Sequence, residues 1–128
     1  MINTNSECIF CQLEHSRITI ENDLGVVIYD NYPVSKGHAL IIPQRHISSI
    51  SEATTPEVIA FFSLIDETKK MLVDRFKPNG FNIGINDGVS AGQTVMHLHI
   101  HVIPRYQGDQ ADPRGGIRWI FPNKAKYW

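Results

Sequence analysis

Three of the six histidines in the chain alternate in His97-Leu98-His99-Ile100-His101-Val102-Ile103. On an extended strand alternate side chains share a face. His97, His99 and His101 therefore line one side, and Leu98, Ile100 and Val102 the other. Imidazoles on neighbouring positions of that face stand roughly 7 Å apart. Such a row admits a solvated polar face, a metal site of the H-x-H kind, or nucleophilic and acid–base chemistry on phosphate. In the last case a neutral imidazole attacks, and its neighbours donate hydrogen bonds to charge developing on phosphoryl oxygens. Histidine is not a strong strand former, so strict alternation weighs against the first reading.

A second constellation is Cys8-x-x-Cys11, the only two cysteines. In a reducing compartment this spacing points to a metal or a redox pair rather than a structural disulfide. It does not open a helix after a strand, which weighs against a disulfide oxidoreductase. Half a metal site needs two further ligands, and His46 and His97 are available, with His15 as a replacement for His46. A reduced thiol pair with His46 on the surface is the alternative.

These residues need a scaffold. A short helix is expected within residues 8–17, after the C-x-x-C turn. Ile18 to Glu21 and Val26 to Tyr29 read as strands of a hairpin, with Asn22-Asp23-Leu24-Gly25 supplying the turn. His38 to Ile42 is a third strand ended by Pro43. Residues 55–77 form the one long helix, with Thr55 as N-cap, Pro56 in the first turn and an apolar stripe of Val58, Ile59, Phe62, Ile65, Leu72 and Phe76. Phe81 to Ile85 is a fourth strand and Met96 to Ile103 a fifth. The expected architecture is α+β, an antiparallel sheet of about five strands with the helix on one face. The chain reads as one domain over 1–128, with its core in 8–105 and a C-terminal extension over 106–128, either ordered or a loose arm.

Hydrophobic residues make up 42% and charged residues 20% of the 128 residues, enough to bury a core and too apolar for a disordered tail. The formal net charge of -1 argues against a nucleic-acid binder, which needs a basic field. It leaves room for a small phosphate ligand held by a few focused donors. The polar start, Met1 to Glu7, has no secretory signal character, and no apolar run approaches the roughly 18 residues of a membrane span. The expectation is a cytoplasmic protein.

The strand pattern His97-Leu98-His99-Ile100-His101-Val102-Ile103 resembles the His-φ-His-φ-His-φ-φ signature of the histidine triad (HIT) superfamily. Asn86-Asp87-Gly88, Ala91-Gly92-Gln93-Thr94-Val95 and Pro104-Arg105 fit around it. Gly37-His38-Ala39-Leu40-Ile41-Ile42-Pro43 is similar to the strand carrying that family's fourth histidine. The resemblance runs from about Cys8 to Arg105. It implies a HIT-like fold in which His99 attacks an α-phosphorus to form a nucleotidyl-histidine that water then hydrolyses. His101 would donate to phosphate oxygens and His38 buttress the triad. Asn86, Gln93, Thr94 and the Gly92 N–H would cradle the phosphate, Asp30 would receive the ribose hydroxyls, and Ile9, Phe10, Leu13 and Ile28 would wall the base.

The resemblance further implies a closed structural zinc on Cys8, Cys11, His46 and His97, and a homodimer whose tail, Lys126-Tyr127-Trp128, reaches the partner's cleft. The loop and the Pro104-Arg105 ending look most like the fragile-histidine-triad branch. That branch implies hydrolysis of dinucleoside polyphosphates such as diadenosine tetraphosphate. A purine nucleoside phosphoramidase of the Hint branch is the runner-up. His101, where uridylyltransferases carry glutamine, disfavours that activity. A nucleotide-binding interaction module with incidental catalysis is the non-enzyme alternative.

Overall fold

The computed structural model describes residues 5–128; the first four residues of the polar start lie outside it. Five strands form one antiparallel sheet: β1 (Ile18–Glu21), β2 (Gly25–Tyr29), β3 (Ala39–Pro43), β4 (Gly80–Gly84) and β5 (Ile100–Arg105). Their spatial order is β1-β2-β3-β5-β4. The single long helix, α1 (Thr55–Phe76), lies on one face.

The turn of the β1–β2 hairpin is built as its sequence suggests. The Asn22 side-chain oxygen accepts from the N–H groups of Leu24 and Gly25, an Asx turn that reverses the chain. The N-cap of α1 is Thr54, one residue before the expected Thr55. Its hydroxyl accepts from the Glu57 N–H while the Glu57 carboxylate accepts from the Thr54 N–H, a reciprocal capping box. The short helix expected within residues 8–17 is reduced to one 3-10 turn, His15–Arg17, preceded by turns.

The buried stripe of α1 is only partly the expected one: Leu72 is in the core and Ile65 and Phe76 pack against it, but Ile59 and Phe62 do not. Phe61, Leu64, Thr68 and Leu72 are fully buried, whereas Ile59 and Phe62 are about two-thirds exposed. Phe61, Leu64 and Leu72 pack with Val27, Ile41, Leu98, Ile100 and Val102 into the main core. The opposite sheet face carries a smaller apolar floor of Val26, Ile28, Leu40 and Ile42, partly covered by Phe10, Leu13 and Ile18. Because β-strand side chains alternate, His99, His101, Ile103 and Arg105 stand on this second face.

The triad strand starts later than expected, at Ile100 rather than Met96. Its ladder with β3 runs only from Ile100 to Val102. Before it the Leu98 N–H donates to the Ile47 carbonyl at 2.6 Å, outside any ladder. The extension over 106–128 is folded back on its own chain. Tyr106 donates its hydroxyl to the Lys36 carbonyl, and Arg105 forks onto both oxygens of Asp109. Two 3-10 turns follow, Gly116–Ile120 and Pro122–Lys124. The Arg114 guanidinium lies 4.4 Å from the Trp128 ring centroid and that of Arg118 5.0 Å from the Tyr127 ring. The terminal Tyr127 and Trp128 keep 72% and 42% of their surface exposed beyond these contacts.

Candidate active site and metal centre

Strand register sets the floor of the cleft. Leu40 of β3 pairs with Ile28 on one side and with His101 on the other, and His101 pairs with Gly84. An apolar row, Ile28 and Leu40, thus leads directly to an imidazole. The turn before β3 needs Gly37, whose φ is +89°, and a Cβ there would stand 2.8 Å from the Phe76 ring. That packing holds the next residue, His38, buried beneath the triad.

Hydrogen bonds assign the imidazole protons. The Val34 N–H donates to His38 Nδ1 at 3.1 Å, so the His38 proton is on Nε2. That Nε2 stands 2.9 Å from His101 Nδ1 and donates to it. His101 therefore carries its proton on Nε2. His99 donates from Nδ1 to the His97 carbonyl at 2.8 Å, which leaves a lone pair on its Nε2. His97 donates from Nε2 to the Pro43 carbonyl at 2.8 Å, which leaves a lone pair on its Nδ1. The cleft thus holds one imidazole able to attack and, with ring centroids 5.2 Å apart, one able to donate.

Burial pushes the His101 pKa down to about 4, aided by the neighbouring His99 and His38 and opposed by Asp30. Burial likewise lowers that of His38 against the pull of Asp30. Both are neutral near pH 7, which is the state their hydrogen-bond chain requires. One Asp30 oxygen accepts from the Tyr32 N–H, as a turn residue would; the other lies 3.5 Å from His38 Nε2. Asp30 serves the turn and faces the site at once.

A cleft of about 290 Å³ is lined by His99, His101, Asp30, Ile28, Ile9, Phe10, Asn86, Gly92 and Thr94, all expected there. Gly92 is left-handed, φ +95°, at the end of a 3-10 turn, with open space where a Cβ would stand. Two expected residues do not line it. Leu13 packs into the apolar floor. Gln93 is buried, with its amide fully engaged: the oxygen accepts from the Gly88 N–H, and the nitrogen donates to the Ser48 and Val95 carbonyls. Gln93 braces the loop that Gly92 and Thr94 present. The cleft adds Arg17, Asn31 and Tyr32, which the sequence reading missed. Arg17 donates to the Tyr29 carbonyl and to Asn31 Oδ1. Hairpin pairing of Ile18 with Ile28 was the available signal, since it brings the preceding Arg17 beside the end of β2.

Cys8, Cys11, His46 and His97 converge, with ligand atoms all within 4.8 Å of one another. His97 Nδ1 lies 3.4 Å from Cys8 Sγ, 3.5 Å from Cys11 Sγ and 3.1 Å from His46 Nδ1, and Cys11 Sγ lies 3.2 Å from His46 Nδ1. Tetrahedral bonds of roughly 2.0–2.3 Å from nitrogen and sulfur to one ion require ligand separations close to these. His15, the suggested substitute, is exposed elsewhere. Arg45, the neighbour of His46 in sequence, forks onto the buried Glu57 carboxylate in the first turn of α1. The four residues could hold a metal ion.

The motif, the two-faced sheet and the imidazole chain meet in known proteins. Residues 13–108 match the HIT domain family. The chain belongs to the HIT family. HIT relatives include an uncharacterised HIT-like protein of Mycoplasma genitalium, 37% identical over 109 residues, covering 82% of this chain and 77% of that one. The bis(5'-nucleosyl)-tetraphosphatase (asymmetrical) of Schizosaccharomyces pombe is 35% identical over 94 residues, covering 73% of this chain and 52% of the enzyme. Among solved HIT structures, a zinc-bound histidine triad protein from Mycobacterium smegmatis superposes with a TM-score of 0.73 at 31% identity, covering 83% of this chain and 80% of that one. No helix among the described residues is long and apolar enough to cross a membrane.

Proposed function

We propose that this HIT protein hydrolyses the α-phosphate linkage of dinucleoside polyphosphates, such as diadenosine tetraphosphate, and of related nucleotide conjugates. The observation that carries the proposal is the pair of tautomers in the cleft: a lone pair on His99 Nε2 beside an N–H on His101 Nε2. His99 Nε2 bonds to the α-phosphorus and the bond to the leaving group breaks, the leaving group keeping the electron pair and taking up a proton. The His101 N–H stabilises the charge on the phosphoryl oxygens. Water then attacks the same phosphorus, gives up a proton and restores His99 as the nucleoside monophosphate departs.

Asp30 accepts the ribose hydroxyls, Ile9, Phe10 and Ile28 enclose the base, and Asn86 and Thr94 hold the phosphate; the Gly92 N–H, expected to join them, is instead taken by the Val89 carbonyl at 3.0 Å. Zinc is the ion that suits two thiolates and two imidazoles. It would leave no ligand position for water, so it would hold the fold rather than join the reaction. A reducing cytoplasm would keep the thiols ready for it. The working form would be a homodimer, consistent with exposed Ile59 and Phe62 on α1 and the free edge of β4.

The test uses a nucleotide labelled in its α-phosphate. Acid-labile label is expected on the wild-type protein and not on His99→Ala, whose turnover falls by orders of magnitude while nucleotide binding survives. A chiral phosphorothioate substrate should give retained configuration, from two in-line displacements. Inverted product, or His99→Ala turnover within a few-fold of wild type, would overturn the covalent route. Tight monophosphate binding without turnover of any substrate would favour an interaction module instead.

A further inference from the structure

The floor of the nucleotide cleft follows a row of paired residues running across the sheet. His101 pairs with Leu40, Leu40 with Ile28, and Ile28 with Ile18 of β1. At roughly 4.8 Å per strand the row spans about 14 Å, with the triad at one end. Arg17, just before Ile18, stands at the other end and is the only arginine or lysine among the residues lining the cleft. Its Nη2 donates to the Tyr29 carbonyl at 3.1 Å and to Asn31 Oδ1 at 3.0 Å. Both protons of that nitrogen are thereby used, and the guanidinium is fixed. The N–H groups on Nε and Nη1 have no partner among the described residues. Nor does Arg17 form an ion pair with any described carboxylate, unlike Arg45, Arg105 and Arg114. Asn31 keeps its amide N–H pair once Arg17 has taken Oδ1. Arg17 and Asn31 therefore offer a ligand donors, while the acceptors beside them, the Tyr29 carbonyl and Asn31 Oδ1, are engaged.

We infer that Arg17 is a specificity determinant for the base, and that with Asn31 it selects a 6-oxopurine, guanine or hypoxanthine, over adenine. The inference rests on the nucleotide reading of the cleft and narrows its base; the dinucleoside polyphosphate linkage attacked by His99 is unchanged. With the α-phosphate at His99 and the ribose at Asp30, the base lies over Ile28 and Leu40, and its outer edge meets Arg17. Guanine presents O6 and N7 on that edge, both acceptors, whereas adenine presents the N6 amino group, a donor, beside N7. A donor facing a fixed guanidinium leaves both groups short of a partner, which costs more than an exposed mismatch would. Phosphate is the other ligand a guanidinium commonly takes. Here it would share the cleft with the Asp30 carboxylate. A neutral acceptor edge avoids that repulsion.

The experiment measures equilibrium binding of guanosine, inosine and adenosine 5′-monophosphates, and kcat/KM for diguanosine and diadenosine tetraphosphates, on wild type and Arg17→Met. Methionine keeps an apolar stem and removes every donor. Wild type is expected to bind the guanosine and inosine monophosphates about tenfold more tightly than the adenosine one, within the range of a good arginine–guanine contact. The two tetraphosphates should follow the same order in kcat/KM. Inosine lacks the 2-amino group, so its agreement with guanosine places the contact on O6 and N7. Arg17→Met should bring the three affinities together; where that variant does not fold, the wild-type order decides alone. Equal affinities in wild type, or a preference unchanged in a folded Arg17→Met, overturn the inference. So does adenosine 3′,5′-bisphosphate binding more tightly than every monophosphate and losing that lead in Arg17→Met, which would make Arg17 a phosphate anchor. Failure of the hydrolase reading looks different: neither tetraphosphate turns over and no label reaches His99, while the order of the monophosphate affinities stands.

Discussion

A neutral imidazole half-buried against two others is a pH-dependent asset. Burial lowers the His101 pKa from 6.5 to about 4 and shifts His38 in the same direction. An unfolded chain binds these protons below about 6.5. The folded chain resists them, so in that window the unfolded state carries more protons and acid favours unfolding. Stability contributed this way is complete above pH 6.5 and declines as pH falls towards 4. Urea midpoints measured across that range should fall with pH in the wild type, and His101→Asn should flatten part of the slope. A slope identical in the two proteins would show that His101 is as easily protonated folded as unfolded. The placement of His99 and His101 on one face was legible from alternation alone, because strand geometry leaves two-apart residues no choice of face. The placement of Gln93 was not: a glutamine in a polar loop reads as a ligand contact, and only the fold discloses that three backbone groups have already taken its amide.

At the level of elements, the turn between the thiols joins the two sites. Ile9 and Phe10 lie between Cys8 and Cys11 and line the nucleotide cleft. The Phe10 ring meets His99 edge-on at 5.2 Å and His97 at 6.0 Å between centroids. Removing metal, or replacing Cys8 and Cys11 by serine, should therefore lower Tm and weaken adenosine monophosphate binding, by about fivefold or more. Linkage requires the nucleotide to tighten metal binding by the same factor in chelator competition. Equal nucleotide affinity with and without metal would separate the turn from the pocket. Of the elements, the hairpin, the third and fourth strands and the helix could be read from turn residues, apolar runs and caps. The face of α1 could be read only in part, from Ile65, Leu72 and Phe76. Ile59 and Phe62 look like core residues and point outward, while Glu57 and Thr68 look like surface residues and are buried, Glu57 because the capping box and Arg45 satisfy its charge. The late start of β5 was hidden for a related reason, since the Leu98 N–H finds its acceptor in Ile47 rather than in a neighbouring strand.

For the whole molecule, the outward Ile59 and Phe62 and the unpaired edge of β4 are costs unless something covers them. Sedimentation should show a dimer for the wild type and a shift towards monomer for Phe62→Glu, with the fold retained because that side chain leaves no hole in the core. A monomeric wild type would assign the patch to another partner. The cysteine–histidine cluster also shapes how the chain reaches this form. Cys8 and His97 stand 89 residues apart in sequence, so on a ribosome at about 5–20 residues per second the thiol waits roughly 4 to 18 s for its histidine. Loop-closure entropy makes so distant a contact a late one even in the finished chain. An ion held there therefore does little to hasten collapse. Its bonds would form after the folding barrier and would have to break before the reverse one, so it would act as a latch on the unfolding rate, governing the lifetime of the native state more than the speed of its arrival.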